Sequence, residues 1–376
     1  MKHKHSLIVS LLLLGLLPLV FLVHTSTADD KAAQYKFLGT ISVPSHLGGG
    51  FDISWVDSAL GRYYLADRGN STVSPAVPPA IDIIDTKSLK FLGSVALPAA
   101  PNGVVAIHRS GFSGEEEGVT EVWAGDAASM VDVINPDPKT GSVLARINTG
   151  GTARADELAF DPLDHIILVA NDNDLPPFVT FISTKTRTVL GKIFYPQTVF
   201  GTPPTGHGLE QPVWDGKTKT FFFAVPATST NPNGEIDEIN PKSMMVTKIY
   251  PTTCNPAGLA LLPGQNLITS CGDVLDIESG HIVTVAGTGG DEIWFNPGDE
   301  RVYFGGGLNR ISVPVVDTEL GRCFSPHLLT TLTVGSGSDT THSVAADNEN
   351  NRVFVPIRNE GVKVYADEDR DDRGDR

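Results

Sequence analysis

One pattern restricts the fold of this chain more than any other property: a short hairpin of apolar strands that recurs seven times, its copies aligning by their apolar positions. The copies are "FDISWVDSALGRYYLAD" from Phe51, "NGVVAIHR" with "EVWAGD" from Asn102, "DELAFDPLDHIILVAND" from Asp156 and "EQPVWDGKTKTFFFAVP" from Glu210; "AGLALLPGQNLITSCG" from Ala257, "DEIWFNPGDERVYFGG" from Asp291 and "HSVAADNENNRVFVPI" from His342 complete the set. A weaker hairpin such as "IDIIDTKSLKFLGSV" or "VTFISTKTRTVLGKI" lies between successive copies. Each burst is too short for a helix and is rich in aromatic and β-branched residues, with turn residues between. Four strands in a unit of about 50 residues is the arithmetic of a propeller blade. The expectation is all-β: a seven-bladed β-propeller with four antiparallel strands per blade. Almost no segment carries a 3.6-residue apolar period, which excludes a helical solenoid.

The two ends of the chain complete each other. Residues 35–44, "YKFLGTISVP", nearly copy residues 89–98, "LKFLGSVALP", the fourth strand of the first unit, whereas the last unit runs out after "GVKVY" with three strands. The N-terminal strand is therefore expected to close the last blade and remove an open sheet edge. One domain then spans 29–365. Before it, a basic start, an apolar run from Leu7 to Val23 and small residues at Thr27 and Ala28 make a signal peptide over 1–28, with an uncleaved anchor as the alternative. After it, 366–376, "ADEDRDDRGDR", is too charged to pack and reads as a disordered tail. The protein is expected to be secreted or periplasmic, free of the membrane after cleavage, and monomeric.

A formal charge of −16 over 376 residues argues against nucleic acid or an anionic membrane surface as partner, since both need a basic face. Of three cysteines, Cys254 and Cys271 bracket one hairpin and are the expected disulfide in an oxidising compartment, leaving Cys323 over; three buried thiols are the alternative.

In a propeller the first strand of every blade lines the central channel, and its starting residues ring one mouth. Here that ring reads Asp52, Asn102, Asp156 with Glu157, Glu210 with His207 just before it, Asn255, Asp291 with Glu292, and His342; no lysine or arginine belongs to it, and Arg154 stands close by. Carboxylates converging this way repel one another unless a cation or ordered water compensates. A water-filled channel, a bound metal ion and an organic ligand remain three readings of the ring. Oxygen-rich ligation suits a divalent calcium or manganese ion better than zinc. Asp161, Asp215 and Asp347 follow the apolar core of their strands and read as turn residues. "NDND" (171–174) reads as a turn at the blade edge, and Trp55, Trp214 and Trp294 as core packing. No nucleophile elbow, zinc-protease motif or phosphate loop is present.

The segment "LEQPVWDGKTKTFFFAVP" (209–226) resembles the "EGPVWD…LYFVD" strand pair of the regucalcin and gluconolactonase propellers, although those are six-bladed and carry glycine where this chain has Gln211. The resemblance implies a divalent-metal role for Glu210, joined by Asn255, Asp291 and Asn102. Over its whole length the chain is similar to exported seven-bladed proteins of the Tyr-Val-Thr-Asn repeat class. Two functions follow. The first is a binding module that offers its acidic mouth to a metal ion, a small molecule or a protein. The second is a metal-dependent lactonase or related hydrolase, with Glu292 or Glu157 as general base.

Overall fold

In the computed structural model each repeat folds into a four-stranded antiparallel sheet, and seven such sheets follow one another around a central channel. The structure describes residues 35–109, 119–198, 208–307, 310–318 and 324–367. The segments 1–28 and 368–376, His207 and Cys323 lie outside the described residues. Six blades are contiguous in sequence, with innermost strands Gly50–Asp57, Pro101–Arg109, Leu158–Asp161, Pro212–Asp215, Leu259–Leu262 and Ile293–Asn296 for blades 1 to 6. Blade 7 combines three C-terminal strands, starting with Ala345–Asp347, with Tyr35–Ile41 as its outermost strand. That strand pairs with the last strand of the chain from Tyr35 opposite Asp367 to Ile41 opposite Val362. The last strand runs to Asp367, two residues past the expected boundary, because the Asp367 carboxylate is held by the buried Arg301 guanidinium of blade 6.

Burial explains the sequence pattern strand by strand. Second strands such as Thr220–Val225 are covered on both faces by neighbouring blades, buried at every position and mostly apolar, as parallel-sheet strands are for the same reason. Outermost strands have one wet face; Met245–Pro251 is mostly exposed. The third and fourth strands of most blades are offset by a bulge, as at Ile83/Ile84 and Val133/Ile134, and a matching irregularity falls at Phe37/Gly39. Gly39 (φ +145°) and Gly93 (φ +156°) take backbone angles there that other residues rarely adopt, which gives the repeated "FLG" a structural cause.

In blades 1, 3, 4 and 7 the innermost strand ends in an acid, Asp57, Asp161, Asp215 or Asp347, that holds the inner hairpin turn. Asp161 accepts from the Leu163 N–H at 2.8 Å, Asp215 from Lys217 at 2.8 Å and Asp347 from Glu349 at 3.0 Å. The Cys254–Cys271 disulfide is formed, with the Cα atoms 6.1 Å apart. By the chain-entropy estimate a loop of this length contributes about 3 kcal/mol. Among the described residues no helix is long and apolar enough to cross a membrane.

Candidate functional site

The hydrogen-bond register aligns the innermost strands residue by residue. Asp156, Glu210 and Asp291 each donate their backbone N–H to the second strand of their own blade, to Ala170, Ala224 and Gly305, and the residue after each accepts one back. The first ring at the mouth is therefore Asp52, Asn102, Asp156, Glu210, Ala257, Asp291 and His342. The second, one residue deeper, is Ile53, Gly103, Glu157, Gln211, Gly258, Glu292 and Ser343. At Gly103 a Cβ would lie 2.4 Å from the Asp156 carbonyl oxygen, and at Gly258 a Cβ would lie 2.3 Å from that of Asp291. Neighbouring backbones pass too closely there for any side chain, so the second ring carries its bulk on other blades.

Asn255 does not belong to this ring. Ala257 holds the blade 5 position, two residues further on, while Asn255 is exposed and donates its amide to the Pro226 and Pro232 carbonyls. The cause is local: the disulfide at Cys254 and two hydrogen bonds from Thr253 to Asp273 tie this segment to the later strands of its own blade. Asp52, Asn102, Asp156, Glu210, Asp291 and His342 do come together.

Arginines compensate part of the acidity. Arg154 reaches Asp156 at 2.5 Å, Asp172 at 2.8 Å and Asp52 of blade 1 at 3.7 Å, and Arg68 binds Asp52 and the Asn102 side-chain oxygen. Arg310 stands 3.6 Å from Asp291. His342 bridges Asp52 and Asp291 at 3.4 and 3.5 Å and stacks on Phe51. Burial alone would lower the His342 pKa, but the Asp291 hydrogen bond and the Asp52 charge outweigh it and hold the imidazole above its ordinary value. Sequence reasoning passed over Arg68, next to last in the second strand of blade 1, and read Asp172, directly after the second strand of blade 3, only as part of an edge turn. Those strands run antiparallel to the innermost ones, so their last residues return to the same mouth. "NDND" is accordingly more than an edge turn: Asp172 binds Arg154, and Asp174 accepts from the Thr152 N–H at 2.6 Å.

Negative charge remains in excess. Glu210 is pushed well above the ordinary carboxylate range by burial and by Asp291, Asp156 and Asp172. Asp156 moves the same way through burial and Asp172, against the pull of Arg154. In the second ring Glu157 and Glu292, from blades on opposite sides of the channel, face each other closely enough to share a proton. Both are almost fully buried. Burial and its neighbour raise Glu157, and burial lifts Glu292 to about 7. Gln211 of blade 4 spans the space above Gly258, its side-chain oxygen accepting from Leu259 N–H at 2.8 Å and its amide donating to the Ile293 carbonyl at 3.3 Å.

Below this pair the channel turns apolar and encloses a cavity of about 430 Å³ whose far end carries Trp55, Phe160, Trp214, Trp294 and Phe295. The three tryptophans pack against the blade cores, as their place in the strands predicts, and also line this open space. Among the described residues no group of three His, Cys, Asp or Glu side chains is arranged to hold a metal ion by itself.

Buried acids away from the mouth have another character. Asp237 in blade 4 is 1% exposed, and burial together with Glu235 raises its pKa to about 8. Between about pH 4 and 8 the folded protein keeps a proton that the unfolded chain releases, so this group's contribution to stability falls as pH rises through that window. Asp237→Asn is expected to be more stable than the wild type at pH 8, by about 1–3 kcal/mol, and to lose that advantage near pH 4. Denaturant melts at the two pH values test it; a variant weaker at both would show that the carboxyl is required for its hydrogen bonding.

No family model matches the chain, and no curated protein matches it by sequence. Solved structures do match in fold. A chain of a mitotic checkpoint complex superposes with a TM-score of 0.59 at 12% identity, covering 96% of this chain and 98% of that one. A chain of hydrazine synthase from Kuenenia stuttgartiensis gives 0.63 at 14%, covering 86% and 96%. At these identities the likeness is one of architecture, the β-propeller.

Proposed function

We propose that the protein is an exported binding propeller that captures a cation, a divalent metal ion or a small positively charged molecule, at the acidic mouth of its central channel. The observation that carries the reading is the excess of carboxyl groups there. Asp52, Asp156, Asp172, Glu210 and Asp291 converge from four blades on three guanidinium groups, with Glu157 and Glu292 beneath. A cation at Glu210 and Asp291 would relieve the repulsion that now raises Glu210. The oxygen donors suit calcium or manganese, and a metal ion there would keep water or ligand in part of its coordination sphere. Export is supported by the N-terminal sequence and by the disulfide.

Calorimetry with calcium, manganese and zinc tests the reading. Glu210→Gln and Asp291→Asn should each weaken binding about tenfold or more, whereas Asp215→Asn, in a turn, should leave it unchanged. Ligand removal lowers stability by RT ln(1 + [L]/Kd), so a chelator should lower the melting temperature of the wild type and affect the double variant less. No heat with any of the three metals, together with no chelator effect, overturns metal capture.

One observation favours the lactonase reading as well: Glu292, near neutrality and beside Glu157, is suited to general-base work close to the mouth. Hydrolysis of simple lactones should then vanish in Glu210→Gln and respond to added metal in the wild type alone.

A further inference from the structure

Apart from Ser54, which is bonded to Ser343, the side chains facing the channel below Glu157 and Glu292 are apolar. The residues at the next three levels include Leu158, Pro212, Ile293 and Val344, then Trp55 and Trp294, then Phe160, Trp214 and Phe295, and they wall the cavity of about 430 Å³. That volume falls within the ~300–1,000 Å³ of small-molecule sites. Trp55 and Trp294 meet edge to face at 5.0 Å, across the blade where Ala345 and Ala346 leave room. A second cavity of about 300 Å³ shares Trp55, Ala106, Trp294 and Phe295 with the first and lies toward the face opposite the acidic mouth. An apolar channel this wide is not required for closure, since Leu or Met at positions such as Ala106 or Ala260 would fill it.

The inner end is the unusual part. Glu157 and Glu292 are 6% and 4% exposed, and both line the cavity. Beyond each other, no described side chain or backbone group donates a hydrogen bond to either carboxyl. Two acceptor-rich groups buried at one end of an apolar tube are costly unless something donates to them. A water can do so, but it leaves the aromatic wall unused. A primary ammonium group supplies three donors and a positive charge at the one place where the channel offers acceptors, and the aromatic faces beyond it favour an apolar or aromatic body.

We propose that the channel is a binding site for a small arylalkyl or alkyl amine, its ammonium group between Glu157 and Glu292 and its apolar body along Trp55, Trp214 and Trp294. This site is distinct from the cation site of the first ring and goes beyond that reading. Selectivity comes from the pairing of the two ends. A neutral analogue keeps the apolar contacts and loses the charge pairing, whereas a small inorganic cation gains nothing from the tryptophans.

The probes are 2-phenylethylamine and its neutral counterpart 2-phenylethanol, followed by tryptophan fluorescence. Of the four tryptophans, Trp123 is fully buried and bonded to Glu121, so the signal change comes from the three in the channel. The amine should bind the wild type at least about tenfold more tightly than the alcohol, with saturation below about 1 mM. Glu157→Gln/Glu292→Gln should bring the two ligands to within about threefold of each other, and Trp294→Leu should weaken both alike. Each variant is first shown to melt cooperatively; if the double variant does not, Glu292→Gln alone is read in the same way. Equal binding of amine and alcohol by the wild type, or a preference that survives the glutamine substitutions, overturns the proposal. Absence of amine binding up to about 10 mM in a protein that still gives heat with calcium overturns the channel site and leaves the mouth reading intact.

Discussion

Removal of residues 35–41 is expected to lower the melting temperature by more than about 10 °C and to make the protein self-associate. The reason is the ring closure. The deleted strand supplies the whole ladder opposite Gly361–Asp367, and without it those backbone groups become an open edge. Side-chain anchors leave with it. The Tyr35 hydroxyl accepts from Arg301 at 2.9 Å and lies 3.1 Å from the Tyr303 hydroxyl, and the Phe37 ring packs 5.5 Å from Tyr365. Ile41, buried in the core between blades 7 and 1, goes too. Loss of a few kcal/mol from the backbone ladder and a similar amount from the buried side chains sums to most of the stability of an ordinary domain. Differential scanning calorimetry and size-exclusion chromatography measure the two effects. A synthetic peptide of residues 35–44 should restore part of the melting temperature by adding back as a strand. An unchanged melting curve would mean that the ring is closed by something other than this strand.

That closure is legible in the sequence because it rests on a near copy: "KFLGT" and "KFLGS" occupy equivalent outer strands, and the shared glycine marks the same bulge. Blade number and strand order are legible for the same reason, since seven copies average out local ambiguity. The mouth is legible only in part. Asp52, Asn102, Asp156, Glu210, Asp291 and His342 follow from the period of the innermost strand, but a period assigns register only where no insertion or tether intervenes. In blade 5 the disulfide and the Thr253–Asp273 bonds shift the polar residue Asn255 out of phase and leave Ala257 in its place. Arg68 and Asp172 are hidden by a different cause. Arg68 lies near the end of a mostly apolar second strand and Asp172 directly after another, and only the antiparallel return of those strands carries the two residues to the rim. The contrast between an acidic first ring and an apolar channel below it depends on which residue of each pair faces inward across opposite blades. Sequence spacing does not carry that information.

Replacing Arg154 with methionine is the second change expected to have a large effect, a loss of about 3–5 kcal/mol. Its guanidinium lies between Asp52, Asp156 and Asp172, contributed by two blades, and the side chains of all three are 6% exposed or less. Methionine keeps most of the apolar stem, so the loss is that of the charge rather than of packing. Among the described residues Arg68 then remains as the guanidinium on this side of the ring, and it serves Asp52 and Asn102. In the variant these carboxyl groups repel one another with less opposition. Asp156, already raised by burial and Asp172 against the pull of Arg154, should rise further, and the folded protein should hold a proton that the unfolded chain releases, so the variant loses stability as pH rises above about 4. The gap to the wild type should accordingly be widest near pH 8 and shrink toward pH 4. Adding Asp172→Asn to Arg154→Met should recover a large share of the loss, by removing one of the repelling charges. The same variant bears on the proposed function. If the mouth accepts cations, millimolar calcium should raise the melting temperature of Arg154→Met more than that of the wild type, because the ion takes up charge that the missing guanidinium compensated. A loss of stability independent of pH would instead assign Arg154 a packing role, and no added response to calcium would count against cation capture at the mouth.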